Sequence, residues 1–158
     1  MPQPLPEPEF DELYRELILD HYRNPRHHEP IEGADIVAEG YNPLCGDELE
    51  LRLNFDNGTI KDISLNGRGC SISQASGSML TDAAIGKPTA EVERLAGMFT
   101  RMLTEPDGEA PAELGDLEAL QGVAKFPVRV KCATLAWHTL EDALKQRKNG
   151  GHAVRHEE

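Results

Sequence analysis

Cysteine is scarce in this chain: three among 158 residues, at positions 45, 70 and 132, with no CxxC pair. An odd count argues against a disulfide framework, and the commonest zinc-ligand spacing is missing. Basic residues are also in short supply, 16 Lys and Arg against 28 Asp and Glu, for a formal charge of −12. So acidic a surface repels phosphate backbones, which excludes nucleic acid as an expected partner. It suits a protein partner with a complementary basic patch. No apolar run approaches the length that spans a bilayer, and "MPQPLPEPE" is not a basic segment leading into an apolar one. A membrane partner and a secretion signal are therefore not expected, and reduced thiols in the cytoplasm are. No internal repeat is visible.

What is present suits one domain, large enough for a single core. Apolar residues make up 39% and charged residues 28%, an ordinary globular balance. Residues 1–9 are proline-rich and read as extended or disordered. The folded domain is placed at residues 10–147, followed by a mobile tail over 148–158.

Within the domain, Phe10, Leu13, Tyr14, Leu17, Ile18 and His21 recur at helical spacing, and Asn24-Pro25 ends that helix. "IVAEGYNP" is a candidate strand. Leu49, Leu51, Leu53 and Phe55 alternate with Glu48, Glu50, Arg52 and Asn54, the pattern of a half-buried strand. "DNG" at 56–58 signals a turn into "TIKDISL", whose alternation is imperfect. Ser71 and Gln74 fit a capping box opening a helix through Ile72, Ala75, Met79 and Ala83. Another helix carries Val92, Leu95, Ala96, Phe99 and Leu103. Residues 104–122 read as a loop with one helical turn around Leu117 and Leu120. "FPVRVKC" reads as extended, before a last helix through Ala133, Ala136, Trp137, Leu140 and Leu144. Strands followed by helices predict an α+β domain: a small antiparallel sheet with helices packed on one face.

Each cysteine stands where an extended segment meets a turn or a helix start. The hairpin brings Cys45 and Cys70 toward one end of the sheet, and helix N-termini at Cys70 and Cys132 favour thiolate over thiol. Asp47, beyond the permissive Gly46, can turn its carboxylate to the same point. Three thiolates and a carboxylate make four ligands, the number a tetrahedral zinc site takes. Around Zn²⁺ they leave a formal −2, which Arg129, Lys131 and Arg68 are placed to offset. The other reading is three buried core cysteines with solvated cations around them. Spacing by itself leaves both open.

Taken together, "NPLCGD", "GRGCSISQASGSMLTD" and "FPVRVKCATLAWHTLEDAL" resemble the IscU/NifU-like iron–sulfur assembly family, and more narrowly its SufU-type branch. The resemblance runs from about Glu12 to Ala143. It implies a small α+β domain with Cys45, Asp47, Cys70 and Cys132 as zinc ligands. It also implies that Cys45 accepts sulfur from the persulfide of a pyridoxal-phosphate-dependent, SufS-type cysteine desulfurase, for relay to a downstream iron–sulfur scaffold. Lys131, where the IscU type has histidine, and the long interval between Cys70 and Cys132 both resemble the SufU type. The expected activity is thus a zinc-dependent sulfurtransferase. The alternative is a non-catalytic scaffold carrying a transient [2Fe–2S] cluster.

Pro43 before Cys45 and Gly46 after it suit a ligand that detaches and swings. Arg129 either pairs with Asp47 or with the partner, or is a solvent-facing strand arginine. His21, Tyr22 and Arg23 either belong to a docking surface or, for His21, finish an apolar face. His138, Thr81, Asp82 and Trp137 read as structural or surface residues.

Overall fold

The computed structural model describes residues 12–105 and 110–158. The proline-rich start and Phe10 lie outside them. In chain order the elements are α1 (Glu12–Arg23), β1 (Ile36–Asn42), β2 (Asp47–Asp56), β3 (Thr59–Arg68), α2 (Ser71–Ala84), α3 (Thr89–Thr104), a 3₁₀ segment (Ala112–Lys125), α4 (Pro127–Lys148) and β4 (Ala153–Glu157). The sheet runs β3-β2-β1-β4. Helix α4 lies across β1 and β2, and α2 lies beside it against β3. This is the α+β architecture expected from the sequence.

β2 and β3 form the hairpin. Asn57 (φ 51°) and Gly58 (φ 78°) both adopt positive φ at its tip, as the tight turns matching strand twist require. Leu49, Leu51 and Leu53 all point into the core. The imperfect alternation of β3 has a local cause: Asn54 pairs with Asp62 but Phe55 pairs with Ile60. One extra residue, Lys61, is accommodated there, so Ile60 and then Ile63 and Leu65 all reach the core despite their unequal parity.

Three expectations need correction. First, "FPVRVKC" is not extended. α4 begins at Pro127, whose ring favours the first helical turn and whose missing N–H is no loss there. The valines that suggested a strand are carried by that helix.

Second, the tail expected to be mobile ends in β4. This strand pairs parallel to β1, with Ala38 opposite Val154 and Gly40 opposite His156, so the sheet is mixed rather than wholly antiparallel. Val154 packs against the core, and its neighbours Ala153 and Arg155 face outward. One apolar side chain in five residues was too little periodicity to announce a strand.

Third, the loop expected at 104–122 contains far more order than one turn. Leu114, Leu117, Leu120 and Val123 recur every three residues and are all buried, the repeat of a 3₁₀ helix. Gly115 (φ 55°) divides the segment. Residues 106–109 lie outside the described part.

The core closes around Trp137, which is fully buried and stacks on Phe99 with ring centroids 5.0 Å apart. Among the described residues, no helix is long and apolar enough to cross a membrane.

Candidate metal centre

Three backbone breaks meet at one end of the sheet. β1 ends at Asn42 and β2 starts at Asp47, so Cys45 lies on the connecting turn, where the Gly46 N–H donates to the Asn42 carbonyl at 2.9 Å. Gly46 has φ 72°, a conformation that costs a side-chain-bearing residue energy and glycine none. Leu44, next to Cys45, is 65% exposed. Cys45 is therefore half-buried on a permissive turn at the surface.

Cys70 comes from the other strand. It is the N-cap of α2, its Sγ accepting from the Ser73 N–H at 3.4 Å. The cap is thus one residue earlier than the expected Ser71. With its amide oriented to suit its neighbours, Gln74 accepts from the Arg68 and Gly69 N–H groups at 3.1 Å each. The expected box is therefore not formed: Gln74 reaches residues before the cap, and the cap's own N–H goes to Asp47. Cys132 is buried in the second turn of α4, not at a helix N-terminus.

Asp47 ties these pieces together. It is fully buried at the first residue of β2, and its Oδ1 accepts from the Cys70 N–H at 2.9 Å. Gly69 makes this approach feasible, because a Cβ there would lie 2.2 Å from the same oxygen. On the far side, the amide nitrogen of Asn42 lies 3.5 Å from Asp47 Oδ2 and 4.0 Å from Cys132 Sγ, while its carbonyl accepts from the Leu44 N–H at 3.2 Å. Asn42 is fully buried and went unnoticed in the sequence. Its only advance signal was an Asn-Pro step leading into the cysteine turn.

One donor atom each from Cys45, Asp47 and Cys132 lies within 4.8 Å of the others. The Sγ atoms of Cys132 and Cys45 are 3.2 Å apart, within reach of one ion and far too long for a disulfide bond. Cys70 lies outside that group, but its N–H is bonded to Asp47 and its thiol neighbours that of Cys132. Three of the four side chains singled out in the sequence therefore converge, with Cys70 beside them.

Their protonation follows from this contact. The Cys132 hydrogen bond, opposed by burial, brings the Cys70 thiol down to about 7, with the Ser73 N–H and Arg129 assisting. The same bond, with burial, pushes Cys132 far up, so it keeps its proton as the donor.

Of the three cations expected to offset the charge, only Arg129 is placed to do so. It is 7% exposed, one helical turn from Cys132 on the same face of α4. Lys131 is exposed, because helical rather than strand geometry sends residues 129 and 131 to different faces. Arg68 is 81% exposed and paired with Glu48 at 3.0 Å.

The donor set fits a thiophilic ion. Three sulfurs and a carboxylate suit zinc, and thiolates also suit an iron–sulfur cluster. A buried carboxylate and a buried arginine beside them supply the acceptor and the counter-charge such a site needs.

The remaining residues divide. His21 is 4% exposed and bonded to Ser78 Oγ at 2.8 Å, so it finishes the apolar face of α1. Tyr22 and Arg23 are exposed beside it. Thr81 and Trp137 are buried, and Asp82 pairs with His27 at 3.0 Å. His138 does more than expected of it: it belongs to a second cluster, with His156 and Glu158.

Comparison with known proteins shows the family. Residues 13–133 match the family described as the NifU-like N terminal domain. The iron-sulfur cluster assembly scaffold protein IscU of Streptococcus pyogenes serotype M1 is 45% identical over 143 residues, 90% of this chain and 89% of the relative. The zinc-dependent sulfurtransferase SufU of Bacillus subtilis strain 168 is 42% identical over 141 residues, 89% of this chain and 95% of the relative. The crystal structure of FiSufU from Fervidobacterium islandicum AW-1 superposes with a TM-score of 0.77 at 37% identity, covering 82% of this chain and 94% of that one. The cysteine-bearing end of the sheet thus sits in a scaffold shared with these proteins, and the chain belongs to the NifU-like N-terminal domain family of iron–sulfur cluster assembly.

Proposed function

We propose that this chain is a zinc-dependent sulfurtransferase that accepts persulfide sulfur from a cysteine desulfurase and relays it to a downstream iron–sulfur scaffold. The observation that carries the reading is the contrast between thiols: Cys132 is buried in a helix and Cys70 is engaged as the cap of α2, whereas Cys45 is half-exposed on the Gly46 turn. A sulfur that must meet another protein's active site needs that access. The name of the B. subtilis relative supports the zinc requirement.

Cys45, Asp47, Cys70 and Cys132 would hold the ion. Zinc, when bound, supplies a positive charge that keeps thiolates deprotonated at neutral pH. Arg129 lowers the cost of the excess negative charge from within α4. The Asp47 carboxylate, held by the Cys70 N–H, keeps the turn of Cys45 and the cap of α2 in register. On docking, Cys45 swings outward on its turn. Its thiolate attacks the outer sulfur of the desulfurase persulfide; a new S–S bond forms at Cys45, the old one breaks, and the desulfurase cysteine leaves as thiolate. The cytoplasm, where thiols stay reduced, suits this exchange. Exposed Leu44 and Tyr22 offer apolar contact to the desulfurase, a pyridoxal-phosphate enzyme of the SufS type.

The test is mass spectrometry after mixing this chain with desulfurase and cysteine. One added sulfur on Cys45, lost together with desulfurase stimulation in Cys45→Ser, supports transfer; unchanged stimulation in the variant removes Cys45 as acceptor. A second reading, a [2Fe–2S] scaffold, is favoured by the IscU name of the S. pyogenes relative. It requires a stable coloured cluster after reconstitution, where the transfer reading requires colourless protein with zinc.

A further inference from the structure

A second constellation of metal-ligating groups lies away from the cysteines, where β4 crosses the middle of α4. His138 and Asp142 stand four residues apart on one face of α4. His156 points back at them from β4, because successive strand residues alternate between faces and Val154 and His156 are on the helix side. Pairing continues past the strand, with the Glu158 N–H donating to the Tyr41 carbonyl at 2.9 Å. This brings the Glu158 side chain, only 8% exposed, beneath both rings.

The contacts are organised around one oxygen. Glu158 Oε1 meets Nδ1 of His138 and also Nε2 of His156, the latter at 2.9 Å. Each imidazole uses its other nitrogen outward: His156 Nδ1 meets Asp142 Oδ2 at 2.6 Å, and His138 Nε2 meets Thr100 Oγ1 at 3.5 Å. Thr134 Oγ1 donates to Glu158 Oε2 at 3.4 Å. One donor atom from each of His138, His156 and Glu158 lies within 4.8 Å of the other two.

This is the arrangement metal sites use. Inner nitrogens and a carboxylate oxygen converge, while the outer nitrogen of a ligating histidine is held by a carboxylate or hydroxyl that fixes the ring. His156 meets a carboxylate at each of its two nitrogens. A divalent ion held between its Nε2 and Glu158 would leave Nδ1 to Asp142. Bonds of about 2.1 Å to three such donors leave at least one coordination position open.

We propose that His138, His156 and Glu158 bind a divalent transition-metal ion of the zinc or iron(II) class, with Asp142 and Thr100 orienting the histidines. Two imidazoles and a carboxylate are the donor set such ions take when no thiolate is present. The ion clamps β4 onto α4 and so ties the edge of the sheet to the helix that carries Cys132. This site goes beyond the sulfur-transfer reading and does not depend on it.

Zinc titration of the full chain followed by native mass spectrometry tests the proposal, with hydrogen exchange of residues 153–157 read at each step. Wild type should take up two zinc ions per chain, the second slowing exchange in β4. His156→Ala and Glu158→Gln should each retain one ion and show no slowing. Asp142→Asn should weaken the second ion by roughly ten- to hundredfold. Cys45→Ser keeps this site, so loss of sulfur acceptance in that variant leaves the second ion and the β4 protection in place. Zinc uptake that is unchanged in both the His156 and Glu158 variants, whether wild type holds one ion or two, overturns the proposal. Exchange in β4 that is indifferent to the second ion overturns the clamp.

Discussion

The two clusters, one at the second turn of α4 and one at its middle, solve the problem of gathering ligands in different ways. The cysteine end draws on three separated segments, and its donors are soft sulfurs around a fully buried carboxylate. The histidine cluster draws on one helix face and one edge strand, with nitrogen and oxygen donors that are half-buried. A thiolate on a glycine turn can leave its place without disturbing the core. A histidine on β4 cannot leave without loosening the strand that presents it. The first geometry suits chemistry at sulfur, the second suits a clasp.

The sharpest way to break this comparison is to remove metal. With free zinc about a thousandfold above its dissociation constant, binding at the cysteine end should stabilise the fold by about 4 kcal/mol. Urea unfolding with and without a chelator should show that difference, and Cys132→Ser should abolish most of it. Glu158→Gln should preserve most of it. Equal loss in both variants would erase the distinction between the two ends.

A smaller effect comes from the carboxylates in metal-free protein. Asp47→Ala leaves the Cys70 N–H and the Asn42 amide without their buried acceptor, at a cost of about 2–3 kcal/mol. Glu158→Gln keeps an acceptor oxygen between two imidazoles that are 30% and 20% exposed, and should cost about 1–2 kcal/mol. Reversal of that order in urea unfolding would show that burial does not separate the two clusters.

The smallest effect uses a histidine from neither cluster as a control. Burial, with Arg26 nearby, lowers the His21 pKa below its ordinary 6.5. The unfolded chain then takes up the proton first as pH falls, so the contribution of His21 is complete above about 6.5 and declines below it. Unfolding midpoints followed from about pH 7 to 5 should fall less steeply in His21→Gln than in wild type. Identical slopes would show that His21 is not buried neutral.

How much of this was legible depended on local pattern. Leu49, Leu51 and Leu53 announced β2, and Asn57-Gly58 its turn, because alternation and positive φ are properties of neighbouring residues. The parity change in β3 was hidden, since the bulge at Lys61 is fixed by pairing with β2. Pro127 disguised the start of α4: the valines after it favour strands, and only packing against β1 and β2 decides for helix. β4 was invisible because its five residues need β1 as a template. With β4 went the meaning of His138.

By itself, the sequence determined the α+β class, the hairpin, and the cysteine motifs with their aspartate, because these rest on periodicity, turn chemistry and short contiguous segments. Only the tertiary structure decided that Arg129 is buried beside the thiols while Lys131 is not, that Asn42 closes the site, and that the tail returns to meet α4. Those facts depend on which faces of distant segments are pressed together, and that is settled by burial of the common core rather than by any residue's neighbours in the chain.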